Sequence, residues 1–341
     1  GGGIVNRHTF FEEISSLENL FLAWREFLRG KRDRRDVQEY ALHLEDNLFD
    51  LHDRLVNGAW THGGYEEFRV CDPKPRTIHK AEVADRIVHH ALCRVIEPIF
   101  DRSFIFDSWS CRTGKGNQGA VMRCHDNLKR ISHHGKQPLW ILKCDIKKYF
   151  ENIDQRTLLG LMMRKIDDPQ TQDLVNKIIA SFKHGLPLGN LTSQLFANVY
   201  LNPLDHYIKD VLRPSFYIRY CDDFILAHPS KAWLMEQIPK ISRYVTTRLH
   251  LTLHPNKIIL RPFHQGIDWL GYTLFPDRRM MRPRTRKRLW KNIAVRMDEY
   301  FEGIQEGESL RSTFSSYDGI LKVSWNGDER KRLECLRSCV L

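Results

Sequence analysis

The sequence predicts an α+β fold. Apolar residues recur at helical spacing from Phe10 to Leu55 and again beyond Leu289. Short β-prone runs lie between them, two of which flank the acidic pair Asp222-Asp223.

At the N-terminus, Leu17, Leu20, Phe21 and Trp24, then Leu44, Leu48, Leu51 and Leu55, predict two amphipathic helices joined by the charged turn Gly30–Arg35. Tyr65 to Ile78 alternates and carries Pro73 and Pro75, which predicts a hairpin with its turn at the prolines. Ala81 to Glu97 predicts a helix ending before Pro98. Trp140–Ile146 reads as a short buried strand that leaves Asp145 at its end, followed by helical spacing through Leu158, Leu161, Met162 and Ile166. Gly185–Asn190 is a turn-rich loop, and a helix capped by Asn190 or Thr192 follows it, to be kinked or restarted at Pro203. Phe216–Tyr220 and Phe224–Ala227, separated by Cys221-Asp222-Asp223, predict a tight hairpin. Trp269–Phe275 is a further β-prone run, and helices are expected around Leu289–Ile304 and Gly319–Leu336.

The chain has 341 residues, 42% hydrophobic and 28% charged, and no apolar run long enough to span a bilayer, so a soluble globular protein with no membrane partner is expected. Gly1-Gly2-Gly3 offers neither the basic stretch nor the apolar core of a secretory signal, which predicts a cytoplasmic location. The eight cysteines form no Cys-x-x-Cys pair, which argues against a zinc site or a disulfide framework and for reduced, mostly buried thiols. A net charge of +11 points to a polyanionic partner. The charge is concentrated between Pro276 and Arg296, where Arg278, Arg279, Arg282, Arg284, Arg286, Lys287, Arg288, Lys291 and Arg296 face only Asp277. That density fits a surface that tracks phosphates.

Acidic residues are poor partners for nucleic acid, so acids fixed at strand ends in such a protein call for a divalent cation. Hard carboxylate oxygens bind Mg²⁺, and two such ions about 3.5–4 Å apart clamp the attacking and leaving oxygens of phosphoryl transfer. If the strand ending at Asp145 pairs with the hairpin carrying Asp222 and Asp223, the three carboxylates converge. An Asp-Asp pair alone is also ordinary hairpin-turn chemistry.

Tyr220-Cys221-Asp222-Asp223 between two apolar β runs resembles the Tyr-x-Asp-Asp signature of reverse transcriptases. Upstream, Lys143 to Phe150 (KCDIKKYF) resembles that family's first catalytic motif, and Gly185 to Leu201 (GLPLGNLTSQLFANVYL) its template- and nucleotide-binding loop and helix. Within the family, Leu188–Gln194 (LGNLTSQ) and Arg112–Gly116 (RTGKG) are similar to the reverse transcriptases of diversity-generating retroelements, with Asn117-Gln118 a departure from the Thr-His usual there. The likeness covers roughly residues 10 to 325.

The resemblance implies a right-hand polymerase with an N-terminal helical extension (1–60), fingers (61–139), a palm (140–275, with a finger-side insertion at 160–190) of antiparallel sheet and helices, and a short helical thumb (276–341). It makes Asp145 and Asp222 metal ligands, Ile146 a backbone-carbonyl ligand and Asp223 the third catalytic acid, also at the metals, for two Mg²⁺ ions with Mn²⁺ able to substitute. Arg76 and Lys80 would hold the incoming triphosphate, Phe150 would exclude a ribose 2′-hydroxyl, Leu188 and Gln194 would line the nucleotide site, and Lys257 would meet the leaving pyrophosphate. Trp269 and Gly271 would belong to a primer-grip hairpin, and Arg284, Arg286 and Arg288 would bind the nucleic-acid backbone.

The implied reaction is RNA-directed DNA synthesis from dNTPs on an RNA template with a cDNA primer. It would be error-prone at template adenine because Leu188 stands where relatives carry Gln, and it would be assisted by a small basic accessory protein in a prokaryotic or phage-encoded retroelement. The alternatives are a reverse transcriptase of an antiviral defence system or a group II intron, and an RNA-binding scaffold on an inactive polymerase fold. The absence of an endonuclease or maturase extension favours the first reading over the intron. Retention of all three acids favours an enzyme over a scaffold.

Overall fold

Four helices, α1 (Phe10–Ser15), α2 (Leu17–Phe27), α3 (Arg35–Leu42) and α4 (Leu44–Val56), stand where spacing predicted two. In this computed structural model, which describes residues 9–71, 75–303, 307–324 and 327–340, the extra breaks have local causes. The Ser16 side chain accepts from the Asn19 amide and caps α2, and His43, at φ −124°, leaves helical geometry between α3 and α4. Gly1–Gly3 and Asp72–Lys74, with the expected turn at Pro73, lie outside the described residues.

The chain continues through β1 (Tyr65–Val70), β2 (Arg76–Ala81), α5 (Val83–Asp101), α6 (Asn117–Ile131), β3 (Trp140–Asp145), α7 (Tyr149–Asn152), α8 (Gln155–Met163), α9 (Pro169–Ala180) and α10 (Leu191–His206). There follow β4 (Phe216–Tyr220), β5 (Asp223–His228), α11 (Lys231–Leu249), β6 (Ile259–Pro262), β7 (Ile267–Trp269), β8 (Tyr272–Leu274), β9 (Arg279–Met281), α12 (Pro283–Phe301), α13 (Gly307–Val323) and α14 (Gly327–Val340).

Two prolines behave differently from expectation. α5 runs through Pro98 instead of stopping before it, carried one more turn by Phe100, which is buried in the core. α10 likewise runs through Pro203, and the irregularity comes after it as a π-helical turn over Tyr207–Leu212. Helices α6, α9 and α11 had no counterpart in the sequence reading.

The chain forms two compact units. The first holds the described residues up to Phe106 with Ile146–Tyr207 and Ser242–Leu253; the second holds Asp107–Asp145, Ile208–Ile241 and the described residues from His254 onward. In the first, α2 packs along α5, where Asn19 Nδ2 donates to the Ala91 carbonyl at 3.1 Å, and α10 packs on α5 and α8. The antiparallel hairpin β1–β2 belongs to this unit.

In the second unit an antiparallel sheet runs in the order β4-β5-β3-β6. Its residues Ile141, Ile218, Ile225 and Ala227 share one core with Val121 of α6, Trp269 of the three-stranded sheet β7-β8-β9, and Leu289 and Ile293 of α12. Trp269–Phe275 is not one strand. Leu270 and Gly271, at φ +49° and +89°, turn the chain between β7 and β8, and glycine suits the second position because a side chain there is strained.

Two C-terminal expectations also change. α12 begins at Pro283, a favoured first helical residue, so the basic segment is itself helical. The span Gly319–Leu336 is broken between α13 and α14, where Ser324 Oγ donates to the Leu321 carbonyl. Of the described cysteines, Cys71, Cys111 and Cys335 are exposed and only Cys93, Cys124 and Cys144 are buried, because the former sit at a strand end, in a turn and on a helix surface.

Candidate active site

The register of the four-stranded sheet sets the site. β3 and β5 pair antiparallel with Asp145 opposite Asp223, and β4 and β5 pair with Tyr220 opposite Asp223. Asp222 therefore lies at the tip of the β4–β5 hairpin, beside the end of β3. Such a tight tip requires a left-handed residue, and Cys221 supplies it at φ +56°. Arg219, which the sequence reading did not single out, is fully buried behind the tip. Its guanidinium donates to the Cys221 carbonyl at 2.9 Å and to Ser108 Oγ at 3.1 Å. A lone arginine inside an apolar strand was the available signal, because a buried charge needs such partners.

Two lysines hold two of the acids. Lys257 Nζ donates to both oxygens of Asp145, at 2.8 and 2.9 Å. Lys143 Nζ lies 3.2 Å from Asp223 Oδ2 and donates to the Asp268 carbonyl at 2.8 Å. Burial first, then the negative charge of Asp145, pushes the Asp222 carboxyl up from its ordinary range. Burial pushes Asp223 up to about 7, with Asp145 and Asp222 adding to the shift and Lys143 opposing it.

As the side chains stand, no three His, Cys, Asp or Glu among the described residues are gathered closely enough to hold an ion, and Lys257 occupies Asp145. The donor set nevertheless fits a hard cation. Asp223 Oδ1 is buried with no hydrogen-bond partner, and burial disfavours the charged forms of Asp222 and Asp223, a cost that a divalent cation would offset. Ile146, next in the chain, is buried and bridges Leu253.

Arg76, Lys80, Phe150, Leu188 and Gln194 all lie in the first unit. Arg76 is exposed at the start of β2. Lys80 is tied to Asp36 at 2.9 Å and Glu66 at 3.5 Å, so a phosphate would have to displace those carboxylates. Phe150 and the loop carrying Leu188 are joined by backbone: Leu186 N–H donates to the Phe150 carbonyl at 2.8 Å. The His79 N–H of β2 in turn donates to the Leu188 carbonyl at 2.8 Å. Gly185, at φ +63°, permits the first contact, since a Cβ there would fall 2.2 Å from the Phe150 oxygen. Asn190 precedes α10 but makes no side-chain cap bond. Gln194 is exposed and lines a cavity of about 210 Å³ with Phe27, Lys31, Arg86 and Asn190.

In the second unit, Trp269 is buried in the core, and the turn Leu270-Gly271 joins β7 to β8. Arg284, Arg286 and Arg288 are exposed but do not share one face of α12. Helical spacing puts Arg284, Arg288 and Lys291 in one stripe opposite the buried Leu289 and Ile293, whereas Arg286 points elsewhere and pairs with Glu329 at 3.2 Å.

Residues 72–274 match the reverse transcriptase (RNA-dependent DNA polymerase) family. The chain belongs to that family. Group II intron-encoded protein LtrA of Lactococcus lactis subsp. cremoris is 29% identical over 145 residues, covering 40% of this chain and 23% of that protein. Protein YkfC of Escherichia coli (strain K12) is 24% identical over 274 residues, covering 67% of this chain and 71% of that protein. The chain thus spans about a quarter of the length of the intron-encoded relative. Among solved structures, apo telomerase from Candida Tropicalis superimposes with a TM-score of 0.51 at 11% identity, over 77% of this chain and 57% of that one. The expected α+β, right-hand polymerase fold is therefore the observed class. Members of the reverse transcriptase family use divalent metal ions and act on RNA templates. No helix among the described residues is long and apolar enough to cross a membrane.

Proposed function

We propose that this chain synthesises DNA on an RNA template, joining a primer 3′-hydroxyl to a deoxynucleoside triphosphate with loss of pyrophosphate. The observation that carries the reading is the β3–β5 register, which sets Asp145 opposite Asp223 with Asp222 on the adjoining tip. In this reading Asp145, Asp222 and Asp223, with the Ile146 carbonyl, would hold two Mg²⁺ ions. The ions would supply the positive charge that activates the hydroxyl and steadies the leaving oxygen. Arg76 and Lys80 would bind the triphosphate, which requires Lys80 to exchange Asp36 and Glu66 for phosphate. Lys257 would leave Asp145 and meet the pyrophosphate. Phe150 would crowd a 2′-hydroxyl, and Leu188 and Gln194 would border the nucleotide. The Leu270-Gly271 turn would approach the primer, the basic stripe of α12 would track backbone phosphates, and fingers, palm and thumb would follow the expected division.

The finer reading is a reverse transcriptase of a diversity-generating retroelement, working with a small basic accessory protein and copying template adenine with errors. Its support is Leu188, an aliphatic side chain where a Gln would hydrogen-bond; one such contact is worth roughly 0.5–1.5 kcal/mol, enough to alter nucleotide discrimination several-fold. A group II intron-type enzyme is the second reading, favoured by the intron-encoded relative. Deep sequencing of cDNA made on one RNA template by the parent and by Leu188→Gln separates them. Frequent errors at adenine that fall in the variant support the retroelement. A low adenine error rate in the parent favours the intron type, and absence of cDNA with Mg²⁺ or Mn²⁺ rejects polymerase activity.

A further inference from the structure

Lys143 lies in the middle of the sheet, two residues before Asp145 and so on the same face of β3. It reaches in two directions. One contact is the 3.2 Å approach to Asp223 Oδ2; the other is the 2.8 Å hydrogen bond to the backbone carbonyl of Asp268 in β7. Asp268 is itself a junction, because its Oδ1 accepts from Thr273 Oγ1 in β8 at 2.5 Å and its Oδ2 lies 3.5 Å from Arg282 Nε, at the start of α12. The Arg282 N–H then donates to the Gly271 carbonyl at 2.9 Å, closing the path on the β7–β8 turn. A continuous polar chain therefore runs from the third acid of the site to the hairpin turn, and Lys143 carries it from one sheet to the other.

We propose that Lys143 is a positioning residue that fixes the β7–β8 hairpin relative to Asp223, so that a primer end held by the hairpin keeps its place before the carboxylates. The inference rests on the reading that the Leu270-Gly271 turn approaches the primer. Charge alone does not account for the arrangement. A lysine serving only to neutralise Asp223 has no need of the Asp268 carbonyl, and that contact goes to backbone, which no neighbouring side-chain change removes. The position also demands length and a donor at its end: methionine has the length without the donor, and arginine has both with the charge retained.

The test uses the full chain bound to an RNA template whose DNA primer carries 4-thiothymidine, or in a parallel sample 2-aminopurine, at its 3′ end, without metal. The parent is expected to crosslink to the peptide containing Ile267–Leu274. Lys143→Met should bind primer–template as tightly as the parent, because phosphate contacts dominate affinity, yet crosslink less and show a brighter, more mobile 2-aminopurine. With metal added, its kcat should fall about 10–100-fold at unchanged KM for the nucleotide, the signature of a displaced reacting end. Lys143→Arg should recover the crosslink. Lys143→Gln, whose amide nitrogen ends one bond short of the lysine nitrogen and so loses the reach to the Asp268 carbonyl, is the second variant should the methionine form not fold, and it should behave as that form does. A parent that fails to crosslink overturns the primer-gripping reading and this proposal with it. A parent that crosslinks, with variants indistinguishable from it in crosslink yield and fluorescence, overturns the proposal alone.

Discussion

The strand-end carboxylates and the basic stripe of α12 belong to the same unit, yet they are built by opposite rules. Asp145, Asp222 and Asp223 are few, partly buried and fixed by strand register; each has a particular neighbour, and burial raises the proton affinity of two of them. Arg284, Arg288 and Lys291 are exposed, repeated at helical spacing, and defined by charge density. A register-built site fails when one member is lost, because no other side chain occupies its place. A density-built surface degrades in steps, because each phosphate contact contributes separately and is screened by salt.

The largest expected effect follows from the first rule. Asp145→Asn and Asp222→Asn should each lower the rate of primer extension by at least roughly 10²–10³-fold, since each weakens the hold on the cations whose positive charge would face the reacting phosphate. Binding of primer–template should change little. Extension near the parental rate in either variant removes the carboxylates from the mechanism.

The stripe should respond differently. Replacing Arg284, Arg288 and Lys291 together by Ala should flatten the slope of log affinity against log salt by about 2–3 units, at roughly 0.7–0.9 per contact, with the same loss for every sequence tested. Arg286→Ala is the internal control. Its guanidinium pairs with Glu329, whose Oε2 is buried without a partner, so its loss should lower thermal stability and leave the slope unchanged. A slope that moves with Arg286 and not with the stripe would reverse the assignment of faces.

The same contrast explains what could be read in advance. The carboxylates were legible because a β-hairpin compresses its chemistry into four adjacent residues, and because Asp145 ends an apolar run that had to be a strand. The convergence itself needed the β3–β5 pairing, a long-range fact. Lys143, Lys257 and Arg219 show the limit: their partners, Asp223, Asp145 and the Cys221 carbonyl, are set by register and burial, and only Lys257 was given a role, through resemblance. In α12 the charge density was visible, but the division of Arg284 and Arg288 from Arg286 appeared only once the helix was known to start at Pro283. In the first unit, the tie between Lys80 and Asp36 was not legible because the two lie far apart in sequence. The prolines at 98 and 203 misled because local propensity yielded to packing: Phe100 and Leu204 are both buried.

The smallest effect sharpens the comparison from the electrostatic side. Asp223 holds its proton up to about 7, chiefly through burial. A carboxyl that binds its proton more tightly folded than unfolded stabilises the fold fully below the ordinary carboxylate range, and that contribution is lost as pH rises through about 7. Raw melting curves would mix this with Asp36, Asp154 and Asp318, which are held below the usual range and contribute with the opposite sign at lower pH. The increment in melting temperature produced by Mg²⁺ isolates the site, because ions and protons compete for the same oxygens and a ligand stabilises in proportion to its affinity for the folded state. That increment should be larger by a few degrees at about pH 8, where Asp223 is ionised, than at about pH 5.5, where it is protonated. In Asp223→Asn the pH dependence of the increment should flatten, since the competing proton is gone. In the α12 triple variant it should match the parent, since exposed cations neither bind the ion nor share the proton. Equal increments at the two pH values in the parent would mean that Asp223 is not part of the metal site, and the register of β3 and β5 would then lack the chemical purpose assigned to it.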